Sequence, residues 1–336
     1  MGDHTADKTM QEAVGPRKEN ICAIIVTYHP DAGFPERAIK AAKQAGRMVI
    51  VDNHSSSPAV AMLNKAAPSL NAHLILNADN LGVAAALNQG VRWARAQGCL
   101  WALTLDQDTI PLESMVDNLA AAYQDCPFRE ETGMIGTNYQ DPNNGYVYRQ
   151  PLCARVAGEP ALSWVEEKTL ITSGSLLSIA AFDRVGPFRE ELFIDQIDHE
   201  YCLRLRNFGY RILLSLPLGM LHPVGARRSH KFLWQTLETS HHNPLRRYYM
   251  TRNRLILARE QYGKIRGTVR VLKKSRKDIA RILLFEDRKM LKVYAIALGA
   301  FHGITGKAGR LPPGGGCLRE RLWCGSRPHG QGKSRT

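Results

Sequence analysis

Between residues 21 and 106 the chain alternates short apolar runs with amphipathic stretches, and that rhythm narrows its fold more than any other feature. "ICAIIVTY" (21–28), "RMVIVDN" (47–53), "AHLILN" (72–77) and "LWALTLD" (100–106) are rich in Val, Ile and Leu. A continuous run without polar alternation is what a strand buried on both faces requires. The segments between them, "FPERAIKAAKQA", "PAVAMLNKAA" and "GVAAALNQGVRWARAQ" (82–97), carry helical spacing. Strands alternating with helices predict an α/β domain whose mostly parallel sheet has helices on both faces.

The pattern then loosens. A helix is expected over 112–125 and a turn-rich segment over 126–170, with "DPNNGY" as its clearest turn. "TLITSGSLLSI" (169–179) returns to strand character and "DRVGPF" reads as a loop. "DHEYCLRLRNFG" (198–209) reads as a helix ended by Gly209, and "YRILLSLP" as a last strand. From 244 to about 300 the chain is helical and basic. The expected division is a disordered lead-in over 1–19 and an α/β domain over 20–243, whose halves meet near 110. A basic helical extension follows over 244–303, then a disordered Gly/Pro/Arg-rich tail over 304–336.

Charge supports that division. The net charge is +14, yet residues 246–336 alone hold 23 Lys and Arg against 5 Asp and Glu. The body therefore needs no polyanionic partner, whereas the C-terminal quarter suits an anionic surface. The 7 cysteines form no C-x-x-C pair, as expected of structural thiols in a reducing compartment. The first residues lack the apolar core of a signal peptide, and Ala6 spoils a myristoylation match. The longest apolar runs fall short of the ~20 residues of a membrane span. A cytoplasmic protein, peripheral on the inner face of the plasma membrane at most, is the expectation.

Ligands of an open parallel sheet bind beyond the carboxyl ends of its strands. Those ends carry Thr27 and Tyr28, Asp52 and Asn53, Asn77 with Asn80, and Asp106-Gln107-Asp108. No G-x-G-x-x-G follows the first strand and no G-x-x-x-x-G-K-[ST] exists, so phosphate would have to be neutralised by other means. Two carboxylates at i and i+2 can reach one hard cation, Mg²⁺ or Mn²⁺. Alternatively, Asp106 closes a turn and Asp108 caps the next helix. Asp195, Asp198 and Glu200 form a second acidic group, either macrodipole partners of a helix start or the source of a general base. His222 follows the last strand and is either structural or a metal ligand.

Taken in order, "IIVTYHPD", "VIVDNHSS", "NLGVAAALNQGVRWA", "LTLDQDT", "TSGSLLS", "FIDQIDHEYCLRLRNFGY", "LHPVG" and "HNPLRRYYMTRNRL" resemble glycosyltransferase family 2, in particular its bacterial rhamnosyltransferase branch. The likeness spans Ile21 to Gly303. It implies a GT-A fold, a nucleotide-sugar donor and an inverting single displacement. By the same likeness Tyr28 and Asp52 contact the nucleotide, Asp52 through the base, and Asn80 and Gly82 lie against the donor. Asp106 meets the ribose, while Asp106 and Asp108 meet the metal that His222 completes. Ser173 and Gly174 line the acceptor side. Many relatives have two acids where this chain has Ile197-Asp198, so Asp198 is the expected base and Asp195 its competitor.

The donor sugar implied is L-rhamnose from dTDP-rhamnose, with galactofuranose or glucose as alternatives. The acceptor would be a saccharide or polyprenyl-linked hydroxyl in cell-surface polysaccharide assembly, such as O-antigen. Absence of the Q-x-x-R-W of processive synthases argues for adding one sugar. Arg252 and Arg254 could face the leaving diphosphate. The basic helices could equally lie on an anionic membrane or simply pack on the catalytic domain. Two rivals stand beside this reading. A nucleic-acid binder leaves the acidic strand ends unexplained, and a silent GT-A scaffold leaves the D-x-D, Asp198 and His222 without purpose.

Overall fold

A computed structural model of the chain describes residues 14–150, 163–223, 228–232, 235–239, 241–312 and 322. Most of the expected lead-in and tail lies outside these residues. The expected strands and helices of the first hundred residues all form. They are β1 (Ile21–Thr27), α1 (Phe34–Ala42), β2 (Arg47–Asp52), α2 (Ser57–Ser69), β3 (Ala72–Leu76), α3 (Val83–Ala96) and β4 (Trp101–Asp106). After them come β5 (Ile110–Pro111), α4 (Met115–Asp125), β6 (Thr132–Gln140), β7 (Trp164–Glu166), β8 (Ser175–Ser178) and α5 (Ile179–Val185). The chain continues with α6 (Ile197–Asn207), β9 (Arg211–Leu221), β10 (Arg228–Phe232), β11 (Gln235–Thr239), α7 (Pro244–Tyr262), α8 (Lys264–Phe285) and α9 (Lys289–Thr305).

Two compact units emerge. One takes the chain up to Ala78, Leu87–Pro187 and Tyr201–His222; the other takes Asp79–Ala86, Phe188–Glu200 and everything from Pro223 on. The expected boundary near 243 is thus too simple, because two short segments of the α/β region belong with the C-terminal helices.

The first unit holds a nine-stranded sheet in the order β3-β2-β1-β4-β8-β6-β9-β5, with β7 paired to β9. β3, β2, β1 and β4 are mutually parallel, and β8 then enters antiparallel between β4 and β6. Ile21 through Ile25 are all buried, so both faces of β1 are covered. Parallel pairing brings Thr27 opposite Asp52, and Val26 opposite Asp106, at one rim.

Three local expectations are corrected. Residues 132–140 are not turns but the long buried strand β6. Its Gly133 and Gly136 are there for packing, since a Cβ would lie 2.7 Å from Leu205 and from Leu170 respectively. Strand character after 169 is confined to 175–178, and "DRVGPF" is split by the end of α5 at Val185.

In the second unit Phe193, Tyr248, Tyr249, Ala295, Leu311 and Leu322 share an apolar core. Beside it Glu286 is fully enclosed between Arg247 (2.7 Å) and Lys292 (2.9 Å), so a buried charge meets two opposite ones. No helix among the described residues is long and apolar enough to cross a membrane.

Candidate active site

β4 is buried from Trp101 to Leu105 and ends in a half-exposed Asp106. The amide of Thr109 donates to the Asp106 carbonyl (3.1 Å), a turn that returns Asp108 toward the same place. His222 arrives from the end of β9, where its amide donates to the Gln140 carbonyl (3.0 Å) and its ring stands edge-on to Tyr139. Nε2 lies 3.9 Å from an Asp106 oxygen and Nδ1 lies 3.7 Å from an Asp108 oxygen. One ligand atom from each of the three residues falls within 4.8 Å of the others. Octahedral Mg²⁺ places neighbouring ligand atoms about 3 Å apart and opposite ones about 4 Å apart. Small side-chain rotations therefore suffice, and the residues fit a hard divalent cation. The capping alternative for Asp108 fails, because α4 begins at Met115 with Ser114 as its N-cap.

A buried relay supports this cluster. The Asp106 amide donates to Ser173 Oγ (3.0 Å), which lies 2.6 Å from Thr109 Oγ1, which in turn lies 2.9 Å from His222 Nδ1. Ser173 and Thr109 are each 3% exposed. Ser173 therefore sits beneath the D-x-D and not on an acceptor-facing surface, which corrects the role expected of it. Gly174, at φ +73°, donates its amide to the Thr104 carbonyl and leaves space that Met220 fills. Thr109 joins this cluster without having been singled out in the sequence; its partner His222 stands 113 positions away.

At the neighbouring strand ends Asp52 is buried and hydrogen-bonded through both oxygens. It accepts from Thr27 Oγ1 (2.8 Å), Ser55 Oγ (2.5 Å) and the Ser55 amide (2.9 Å) and is 1% exposed. Its carboxylate shapes the loop after β2. Asn53 is also buried, and its Oδ1 accepts from Asn77. Tyr28 is exposed and available for stacking, while Gln107 bridges its amide and carbonyl (2.7 and 3.2 Å). Gln107 thereby couples the β1 loop to the D-x-D, a role that the motif spelling conceals.

Within the second unit Asn80 Oδ1 accepts from the Gly82 amide (3.0 Å). Gly82 has φ +89°, and a Cβ there would lie 2.5 Å from the Phe193 carbonyl, so glycine is required twice over. Phe193 (φ 65°, ψ −60°) is the centre of a γ-turn closed by the Ile194 amide to the Leu192 carbonyl (2.8 Å). That positive-φ γ-turn is rare and strained. Asp195 and Gln196 also have positive φ. Such a loop persists only where its surroundings over-determine it.

Here they do. Asn253 Nδ2 reaches the carbonyls of Leu192 (2.9 Å), Ile194 and Asp195 (2.8 Å each). Arg252 reaches those of Glu191 (3.1 Å), Leu192 (3.0 Å) and Gly309. The Phe193 ring stacks on Tyr249.

Arg252 is 1% exposed, so its guanidinium is spent on this loop and does not serve a diphosphate. Arg254 pairs with Asp278 (3.4 Å). Asp195 is held by Arg246 at 3.3 Å; burial raises its pKa, partly opposed by that arginine. Asp198, in the first turn of α6, is half-buried and accepts at one oxygen from the His199 amide. Asp195 is the more enclosed of the two carboxylates.

The fold is that of the GT-A glycosyltransferases. S. aureus TarS residues 1–349 share the fold at a TM-score of 0.53 and 15% identity, over 85% of this chain and 81% of that one. The same TarS fragment in complex with UDP-GlcNAc gives 0.52 at 16% identity and the same coverage. Residues 22–176 match the family described as "Glycosyl transferase family 2". A dTDP-rhamnosyl transferase, RfbF of Shigella flexneri, is 28% identical over 299 residues, covering 85% of this chain and 97% of the relative. Residues 22–176 thus form a glycosyltransferase family 2 domain, and the chain is a glycosyltransferase similar to rhamnosyltransferases.

Proposed function

We propose that the protein transfers one L-rhamnosyl residue from dTDP-rhamnose to a hydroxyl of a saccharide or polyprenyl-linked acceptor, with inversion at the anomeric carbon. The observation that carries the reading is the convergence of Asp106, Asp108 and His222 at the strand ends. The likeness to RfbF, across most of both chains, supports the choice of donor. Thr27, Asn53 and the loop shaped by Asp52 form the floor beneath the nucleotide, Tyr28 stacks on it, and Asn80 with Gly82 lies against the sugar diphosphate. Asp108 and His222, with Asp106 nearer the ribose, hold Mg²⁺ or Mn²⁺. Bound there, the cation offsets diphosphate charge and stabilises the leaving group.

Asp198 takes the proton of the acceptor hydroxyl as that oxygen bonds to the anomeric carbon. The bond from that carbon to the diphosphate breaks on the opposite face, and the nucleoside diphosphate departs with the electron pair. A lipid-linked acceptor would put this work at the inner membrane face, in assembly of a polymer such as O-antigen.

Turnover of a panel of nucleotide sugars with Mn²⁺ tests the reading. dTDP-rhamnose should be consumed fastest; preference for a galactofuranose or glucose donor would replace the sugar, and no turnover of any donor would leave a silent scaffold. Asp198→Asn should keep donor affinity and lose roughly 10²-fold or more in rate. Near-normal turnover would transfer the role to Asp195.

A further inference from the structure

Helix α8 has one stripe turned into its unit and one turned out. Gly267, Val271, Ser275 and Ile282 are buried, with Gly267 against the Ala258 backbone of α7. At about 100° per residue, Ile265, Leu272 and Leu283 form a row on one exposed flank of that stripe, and Val269, Arg266, Lys273, Arg276 and Lys277 lie across the far side. Ile265 is 80% exposed, Leu284 56% and Leu283 45%. The helix "KIRGTVRVLKKSRKDIARILLF" contains Asp278 as its sole acid, and that residue turns inward to Arg254. The outer face therefore carries positive charge and apolar side chains with no carboxylate among them. In the same unit α9 turns out Met290, Phe301 and Ile304, which fall within one narrow sector of the helix; Met290 is 76% exposed and Phe301 62%.

A merely solvated basic face has no need of isoleucine and leucine at that exposure. A nucleic-acid face would bring stacking aromatics among its arginines, and α8 has none on this side. Lysine and arginine bordering an apolar row is the composition of a helix lying in the headgroup layer. We infer that the outer face of α8, with the Met290–Phe301–Ile304 row of α9, docks the protein on an anionic bilayer. The apolar side chains enter the acyl boundary and the cations meet lipid phosphates. This deepens the proposed function, on which it rests for the lipid-linked acceptor alone; docking itself requires neither donor nor metal.

Sedimentation of the full chain with lipid vesicles tests it without any turnover. Vesicles of phosphatidylcholine and phosphatidylglycerol should carry the protein down at low salt, less so at high salt, and pure phosphatidylcholine should not. Each basic residue near an anionic surface is worth about five-fold in partitioning, so Arg266→Gln/Lys273→Gln/Lys277→Gln should weaken binding about 100-fold. Leu272→Asp/Leu283→Asp should lose it too. Both variants change outward side chains, so unchanged circular dichroism and unchanged transfer to a soluble acceptor would show an intact fold. Absence of sedimentation at low salt would overturn the inference. So would wild-type binding by both variants, which puts the contact elsewhere, or RNA that binds with higher affinity and displaces the protein from vesicles.

Discussion

Thr109→Val is the most informative substitution in the cluster, because it changes one buried atom and leaves every candidate ligand in place. The Thr109 hydroxyl touches Ser173 Oγ at 2.6 Å and His222 Nδ1 at 2.9 Å. A histidine that ligates through Nε2 carries its proton on Nδ1, and that proton needs an acceptor. Valine keeps the volume and removes the acceptor. One buried donor left unpaired costs about 1–3 kcal/mol, which sets the expected loss of stability with cation bound. Loss of an outer partner to a metal-bound histidine lowers affinity roughly 10- to 100-fold.

Titration of Mn²⁺ into the variant by calorimetry, beside a thermal melt, reads both quantities. Thr109→Ser restores the hydroxyl and should bind Mn²⁺ nearly as the wild type does. If Thr109→Val binds Mn²⁺ with unchanged affinity, the relay does not support a metal site. If Thr109→Ser is as weak as the valine variant, the methyl group and not the hydroxyl is what matters.

Two further outcomes follow from the geometry. Asp108→Ala should lose more of the Mn²⁺-dependent donor affinity than Asp106→Ala, and equal losses would make both residues direct ligands of equal weight. His242 is held neutral, burial and then the cations Arg246 and Arg247 pushing its pKa down to about 3. Unfolded, it would titrate near about 6.5. Between those values the unfolded chain binds a proton that the folded chain refuses, so stability is full above about pH 6.5 and falls as pH drops toward 3. His242→Gln should flatten that acid limb in melts taken across pH; an unchanged limb would assign it to other groups.

The parallel half of the sheet and the acidic rim were legible because burial on both faces leaves unbroken β-branched runs, and chemistry gathers where such strands stop. β6 escaped because "TGMIGTNYQ" is spelled with turn residues, yet its glycines answer to Leu205 and Leu170 across the fold and not to local bending. The cluster of Asp106, Asp108 and His222 could be anticipated from strand ends and family likeness. Thr109 could not, since it is an ordinary hydroxyl whose meaning lies in partners 64 and 113 positions away, and Ser173 was expected only on the acceptor side. Arg252 of α7 misled in the other direction. Charge alone suggested phosphate, whereas Arg252 spends its charge on backbone carbonyls that no sequence pattern advertises.

That grip on backbone carbonyls bears on what can be detached from this enzyme. A chain ending at the apparent boundary near residue 243 would retain the sheet, the D-x-D and even Asp198. It would lose Arg252 and Asn253, the donors that satisfy carbonyls at Glu191, Leu192, Ile194 and Asp195. Without those donors nothing over-determines a turn already strained at Phe193. The C-terminal helices are thus the mould in which the acid loop is cast. Swapping them between relatives would change the shape of that loop first.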